Sequence, residues 1–268
     1  MLNHRVKFLC RMIVITITLI TLSQKVNHSQ ANPLITRGSQ LLIKALSKSK
    51  RALSIQKIKE LTKLSKLPKG TKLVGQALGK MKLPTEVIED SYLRIAVAKG
   101  RLSPDLASNW FRTLRGTPGF RSALSKSIGQ SLVKAKGHLN EVEIAAQSHA
   151  RGLKVVGIGT SFKDPAKSAL TDIDVLLESN GKTIALEAKD YLPTTRLPMD
   201  QFRSDLDTLA TYCKDKQPCV PIFTLTHKPV HAEDLTRIAV ESQKRGVELL
   251  IGDPSSQSEQ IKLLSEVL

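Results

Sequence analysis

An α/β architecture, with a mixed central sheet flanked by helices and a basic helical segment ahead of it, is the fold class that this sequence predicts. Three observations carry that expectation. From Gly137 onward, helical and β-rich stretches follow in the order α-β-β-β-α-β-α-β-α, which suits strands of both orientations covered by helices on both faces. Asn180-Gly181 stands between two β-rich runs, the residue pair that a two-residue hairpin turn favours. Charge is also partitioned: residues 32–136 hold 22 Lys and Arg against five Asp and Glu, while residues 137–268 hold 15 against 19. The basic segment alone therefore matches the formal charge of the whole chain, +17, and the C-terminal part is mildly acidic. A segment of that sign suits a polyanionic partner and leaves the other part free for different work.

The chain opens on His4, Arg5, Lys7 and Arg11, followed by the uncharged run Met12 to Leu22. Small residues then stand at Ser29 and Ala31, ahead of Asn32-Pro33. Residues 1–31 are therefore expected to be a signal peptide cleaved after Ala31, or a membrane anchor if left uncleaved. Export would place the protein in the periplasm or outside the cell. An apolar fraction of 41% supports a real core, and 4% aromatic content argues against stacking platforms for single strands.

Residues 32–136 read as basic helices. Leu53, Ile58, Leu61, Leu64 and Leu67 mark an amphipathic helix that Pro68-Lys69-Gly70 ends. A second starts at Pro84-Thr85-Glu86 with Thr85 as its cap and closes at Gly100; a third spans Asp105 to Leu114. In residues 137–268 the pattern gives a helix over His138 to Arg151, then strands Leu153 to Ile158, Thr171 to Leu177 and Thr183 to Lys189. Gly159 to Leu170 reads as a polar loop. A helix from Asp200 to Tyr212, a strand from Val220 to Thr226, a helix from Ala232 to Arg245, a strand from Val247 to Ile251 and a helix from Ser258 complete the order.

Glu187 and Lys189 lie two apart in an otherwise apolar strand, so they project to the same face. Burying both is costly unless they serve a site. Asp172 and Asp174 share one face of the preceding strand, which the hairpin turn pairs with the strand of Glu187. Carboxylates brought that near raise a pKa or recruit a cation. Two carboxylates and a backbone carbonyl are oxygen donors of the kind that Mg²⁺ takes.

A helix Glu, a strand Asp and then Glu-x-Lys on the next strand resemble the PD-(D/E)xK, or restriction-endonuclease-like, nuclease superfamily. Gly137-His138-Leu139-Asn140-Glu141, with Gly152 eleven residues after Glu141, is similar to the opening of Mrr-type restriction enzymes and of contact-dependent toxin nucleases. The resemblance runs from about Gly137 to Ile251. The strand Thr171-Asp172-Ile173-Asp174 lacks the family's usual Pro, which leaves open which Asp is the ligand. The resemblance implies a Mg²⁺-dependent endonuclease, with Mn²⁺ as the substitute ion, acting on DNA or else RNA. Asp174, Glu187 and the carbonyl of Ala188 would hold the metal, and Glu141 would reach it directly or through water. Lys189 would orient or help deprotonate the attacking water and stabilise phosphoryl charge, and Gln201 would be a supporting polar residue. An immunity protein or a second copy of the chain are the partners it adds. The basic helices suit an anionic membrane surface as well as DNA. The competing reading is a catalytically silent nuclease fold that binds nucleic acid or the cell envelope.

Other signals point to structure. Gly157-Ile158-Gly159 lacks the third Gly of a dinucleotide loop. Pro229 interrupts the His227–His231 spacing, so no zinc is expected there, and His138 and His149 read as helix-surface or capping residues. Cys213 and Cys219 form an even pair suited to a disulfide in an oxidising compartment.

Overall fold

The computed structural model describes residues 52–267 apart from 130, 165–168 and 215; the expected signal peptide lies outside the described residues. Helix α1 (Ile55–Ser65) begins where the Ser54 hydroxyl accepts the N–H of Lys57. Helix α2 (Gly70–Lys80) follows after a short turn, an element that the sequence pattern did not reveal. Gly70 belongs to both the stop and the restart: a Cβ there would crowd the carbonyls of Ser65 and Leu64. Helix α3 (Thr85–Ala98) is preceded by Pro84 as its cap residue, so Thr85 lies inside the helix rather than capping it. The Ser103 side chain caps α4 (Pro104–Leu114) through the N–H of Leu106.

A short α5 (Phe120–Ser127) was likewise unforeseen. Eight residues are too few for a clear period, and Gly116-Thr117-Pro118-Gly119 before it resembles a loop. Gly119 adopts φ 81° there, and a side chain at that position would overlap the carbonyl of Ile158. Lys99 donates to the carbonyls of Ser65 and Ile128, and Arg101 to that of Ser127, so two of the cations close the ends of α1 and α5.

Helix α6 (Leu132–Ala150) starts six residues earlier than expected and crosses position 137. Then come β1 (Lys154–Asp164), β2 (Ala169–Ser179), β3 (Lys182–Lys189), α7 (Met199–Lys214), β4 (Cys219–Leu225), α8 (Ala232–Lys244), β5 (Glu248–Ile251) and α9 (Pro254–Val267). The sheet order is β1-β2-β3-β4-β5. The first three strands are antiparallel neighbours, and β3, β4 and β5 run parallel through the crossover helices α7 and α8. This is the mixed, helix-flanked sheet that the order of patterns implied.

The expected loop over 159–170 is instead strand on both sides of residues 165–168. A register shift between Val155 and Gly157 lets β1 continue past the two glycines. Turn residues Asn180 and Gly181 both have positive φ, as a two-residue hairpin needs.

One face of the sheet carries an apolar cluster that runs from Ile58 in α1 through Trp110 and Phe120 to Ile144 in α6 and Leu186 in β3. The helices before position 137 thus share a core with the sheet. Trp110 also donates its indole N–H to Glu143 of α6 at 2.6 Å. The other face packs α7 and α8 against Leu176, Ala185 and Phe223. A disulfide joins Cys213 at the end of α7 to Cys219 at the start of β4, with Cα atoms 5.2 Å apart. Among the described residues no helix is long and apolar enough to cross a membrane.

Candidate active site

Asp174 and Glu187 meet where β2 and β3 part. Their antiparallel pairing ends at Val175 opposite Leu186, so Asp174 opposite Glu187 would be the next pair. The ladder is replaced there by a side chain: the Asp174 carboxylate accepts the N–H of Ala188 at 2.9 Å. Beyond this point β2 stays paired with β1 as far as Ala169 opposite Asp164. Two acids therefore sit where the strands have separated.

Strand alternation places Glu187 and Lys189 on the face of Ala185, which packs against α7. The Lys189 ammonium pairs with Glu187 and, at 3.1 Å, with Asp205 of α7. From the other side α6 brings Glu141, which is buried, with His138 Nδ1 at 2.9 Å from its carboxylate. The structure thus gathers Glu141, Asp174, Glu187, Ala188 and Lys189. Asp172 lies exposed on the β1–β2 ribbon, where its carboxylate accepts from the Ser161 hydroxyl at 2.6 Å. Between the two candidate aspartates, Asp174 is the one beside Glu187.

Electrostatics follow from this crowding. Burial, then the Glu187 and Glu141 charges, push Asp174 well above the usual carboxylate range, against the opposing pull of Lys189 and the Ala188 N–H. Burial raises Glu187 to about 7, offset in part by Lys189 and reinforced by Asp205 and Glu141. Burial alone would lower Lys189, but the charges of Glu187, Asp174 and Asp205 outweigh it and hold the ammonium firmly protonated. A cluster with more negative groups than positive ones is costly in a partly dry site, and one lysine does not balance it.

The donor chemistry fits a hard divalent cation: carboxylate oxygens close together, with the backbone of Ala188 beside Asp174, and no thiolate. As the side chains stand, no three His, Cys, Asp or Glu residues among those described are grouped closely enough to hold a metal ion. A set of two carboxylates and the Ala188 carbonyl is smaller than that, and water completes such a shell.

The chain matches no family model, and no curated protein matches it. Two solved structures resemble parts of it. One is Can2 from Sulfobacillus thermosulfidooxidans in complex with cyclic tetra-adenylate, at 12% identity and a TM-score of 0.34, over 67% of this chain and 56% of that one. The other is SfsA from Pyrococcus furiosus in complex with Ca²⁺, at 16% identity and a TM-score of 0.27, over 48% of this chain and 61% of that one. Each match spans less than two thirds of the other protein's length, and superpositions this loose carry no conclusion about activity.

Several polar residues at the site were not picked out from the sequence. Asp205 is one turn of α7 beyond Gln201, on the same helical face; Gln201 itself is exposed, and Asp205 is the residue that meets Lys189. Spacing from the expected helix start was the signal that could have found it. His138, read as a surface residue, contacts Glu141. Asn140 is buried: the Thr226 hydroxyl reaches its Oδ1 at 3.2 Å, and its Nδ2 has no hydrogen-bond partner among the described residues. Asp190 and His227 approach within 3.6 Å just past the ends of β3 and β4. Contacts between residues this far apart in sequence have no local pattern.

Proposed function

We propose that this protein is a metal-dependent nuclease that hydrolyses phosphodiester bonds, with DNA as its substrate and Mg²⁺ or Mn²⁺ as its cation. The observation that carries this reading is the pairing of Asp174 and Glu187 at the parting of β2 and β3, with Lys189 on the same site. Asp174, Glu187 and the Ala188 carbonyl are the residues to hold the cation, with Glu141 behind them directly or through water. When bound, such an ion supplies Lewis-acid polarisation of the phosphoryl group and a more acidic water.

The protein's own groups do the rest. Lys189, held as an ammonium, is a hydrogen-bond donor suited to the non-bridging phosphoryl oxygens. That favours charge stabilisation over proton abstraction as its role. Asp205 fixes the ammonium from the α7 side, and His138 fixes Glu141 from within α6. The basic helices α1 and α2 would supply attraction to DNA through phosphate contacts, which the acidic half lacks. The Cys213–Cys219 disulfide and the N-terminal segment favour an exported protein.

Cleavage of supercoiled plasmid by purified protein in Mg²⁺ or Mn²⁺, abolished by EDTA, tests the reading. DNA binding without cleavage in either ion would leave a silent nuclease fold.

A further inference from the structure

Beyond the carboxylates, the parallel strands β3 and β4 end on a second pair of ionisable side chains. Asp190 follows Lys189 directly, and its Oδ1 lies 3.6 Å from Nε2 of His227. The position of His227 is set from two sides. Thr226, the residue before it, donates its N–H to the Lys189 carbonyl at 3.0 Å. The Thr226 hydroxyl lies 3.4 Å from that same carbonyl and 3.2 Å from Oδ1 of the buried Asn140 in α6. Asn140 in turn precedes Glu141. The loop behind His227 is tied to the loop after β3 as well, by the Val230 N–H and the Pro193 carbonyl at 3.0 Å. The His227 side chain is 45% exposed, so its ring is open to a substrate, while the residue before it is fastened to the strand that bears Glu187 and Lys189.

Nothing in the hydrolysis described so far deals with the leaving oxygen. Lys189 is engaged with Glu187 and Asp205, and Asp174 and Glu187 are the residues assigned to the cation. An imidazolium held beside a carboxylate is a side chain suited to handing a proton to a departing oxygen. Open ring, anchored backbone and carboxylate backing occur together in this one histidine.

We propose that His227, oriented by Asp190, is the catalytic acid that protonates the leaving alcohol; the proposal rests on the nuclease reading given above. The Nε2–H of the imidazolium faces Asp190, and its Nδ1–H faces the departing oxygen. Water forms the new P–O bond and releases a proton to solvent. The bond from phosphorus to the leaving oxygen breaks, and that oxygen takes the Nδ1 proton to become the free hydroxyl. The imidazole then recovers a proton from solvent, so no redox change or further reactant is involved.

Full-length wild type, His227→Gln and Asp190→Asn are compared on supercoiled plasmid and on bis(p-nitrophenyl) phosphate, whose nitrophenolate leaves without a proton. For His227→Gln we expect kcat on plasmid to fall by about 10²-fold or more, within the usual range for lost general acid catalysis, with little change on the activated ester. Asp190→Asn should show the same selectivity with a smaller loss. Circular dichroism melting checks that both variants fold. Equal losses on both substrates, or no loss on plasmid, overturn proton donation by His227 while leaving the nuclease reading intact. Wild-type protein that cleaves neither substrate in Mg²⁺ or Mn²⁺ overturns the nuclease reading, and this proposal with it.

Discussion

The helices ahead of the sheet and the sheet itself handle charge in opposite ways. In α1, α2 and the turn between them the lysines at 59, 63, 69, 72 and 80 stand exposed, with Glu60 as the acid among them. Around β3 the carboxylates turn inward, packed against one lysine. Exposed charge acts through solvent, over distances that salt shortens to about 10 Å at 0.1 M. Enclosed charge acts at contact distance, is poorly screened, and shifts the titration of its neighbours. The first kind suits gathering a polyanion, and the second suits acting on one phosphate. Each half would perform the other's task badly, because an acidic cluster repels a polyanion and the lysine face does not gather carboxylates at one point.

The strongest way to break this division is to remove an acid. Glu187→Gln or Asp174→Asn should lower plasmid cleavage by at least about 10³-fold, while DNA binding in a gel-shift assay is retained or slightly improved. Cleavage that survives in Glu187→Gln would remove the inner cluster from the chemistry altogether. Lys189→Met should cost somewhat less, about 10²- to 10³-fold in kcat, because it removes a donor to the phosphate and no ligand. Calorimetric titration with Mn²⁺ should still show binding in that variant; a loss of Mn²⁺ affinity would mean that the lysine organises the ligands instead.

The outer charge is tested through salt. With Lys59, Lys63, Lys69 and Lys72 changed to Gln, the slope of log affinity for duplex DNA against log salt should become shallower by up to about four units. An unchanged slope, together with weaker flotation on phosphatidylserine-containing vesicles, would assign this face to membranes.

The smallest expected effect concerns stability in EDTA. Glu187 titrates at about 7 against an ordinary value of 4.5, so the folded protein holds this proton more tightly than the unfolded chain does. Its contribution is therefore fully present below pH 4.5 and is lost as pH rises to about 7. Asp174, Glu89 and Asp90 are also raised by burial and act with the same sign. The melting temperature should fall across this window and fall less steeply in Glu187→Gln. A melting temperature that climbs over the same range in wild type would show that the cluster is less enclosed than its geometry implies.

The inner half was the more legible in sequence. Period-two alternation puts Glu187 and Lys189 on one face, and Asn180-Gly181 pairs their strand with the one that bears Asp172 and Asp174; the register in the structure is what sets Asp174 rather than Asp172 against Glu187. Glu141 was reachable only through resemblance. Asn140 and the Asp190–His227 pair come from tertiary packing that no short window contains, whereas Asp205 lies one helical turn beyond Gln201. In the outer half the Leu and Ile spacing found α1 but not α2 or α5. Glycine at 70 and 119 was read as an interruption, when in the fold it permits close approach of backbone to backbone.

Under the proposed nuclease reading, the shared core also determines how the lysine face would act on DNA. Charge carried on a flexible tether raises the local concentration of a partner in every direction and imposes no alignment. Charge on helices whose Ile58 and Leu61 belong to the same packed interior as Leu186 is carried on a rigid mount. A duplex held there would meet β3 along one bearing, as work held in a vice meets a blade, and the spacing between grip and cut would be a fixed length built into the protein.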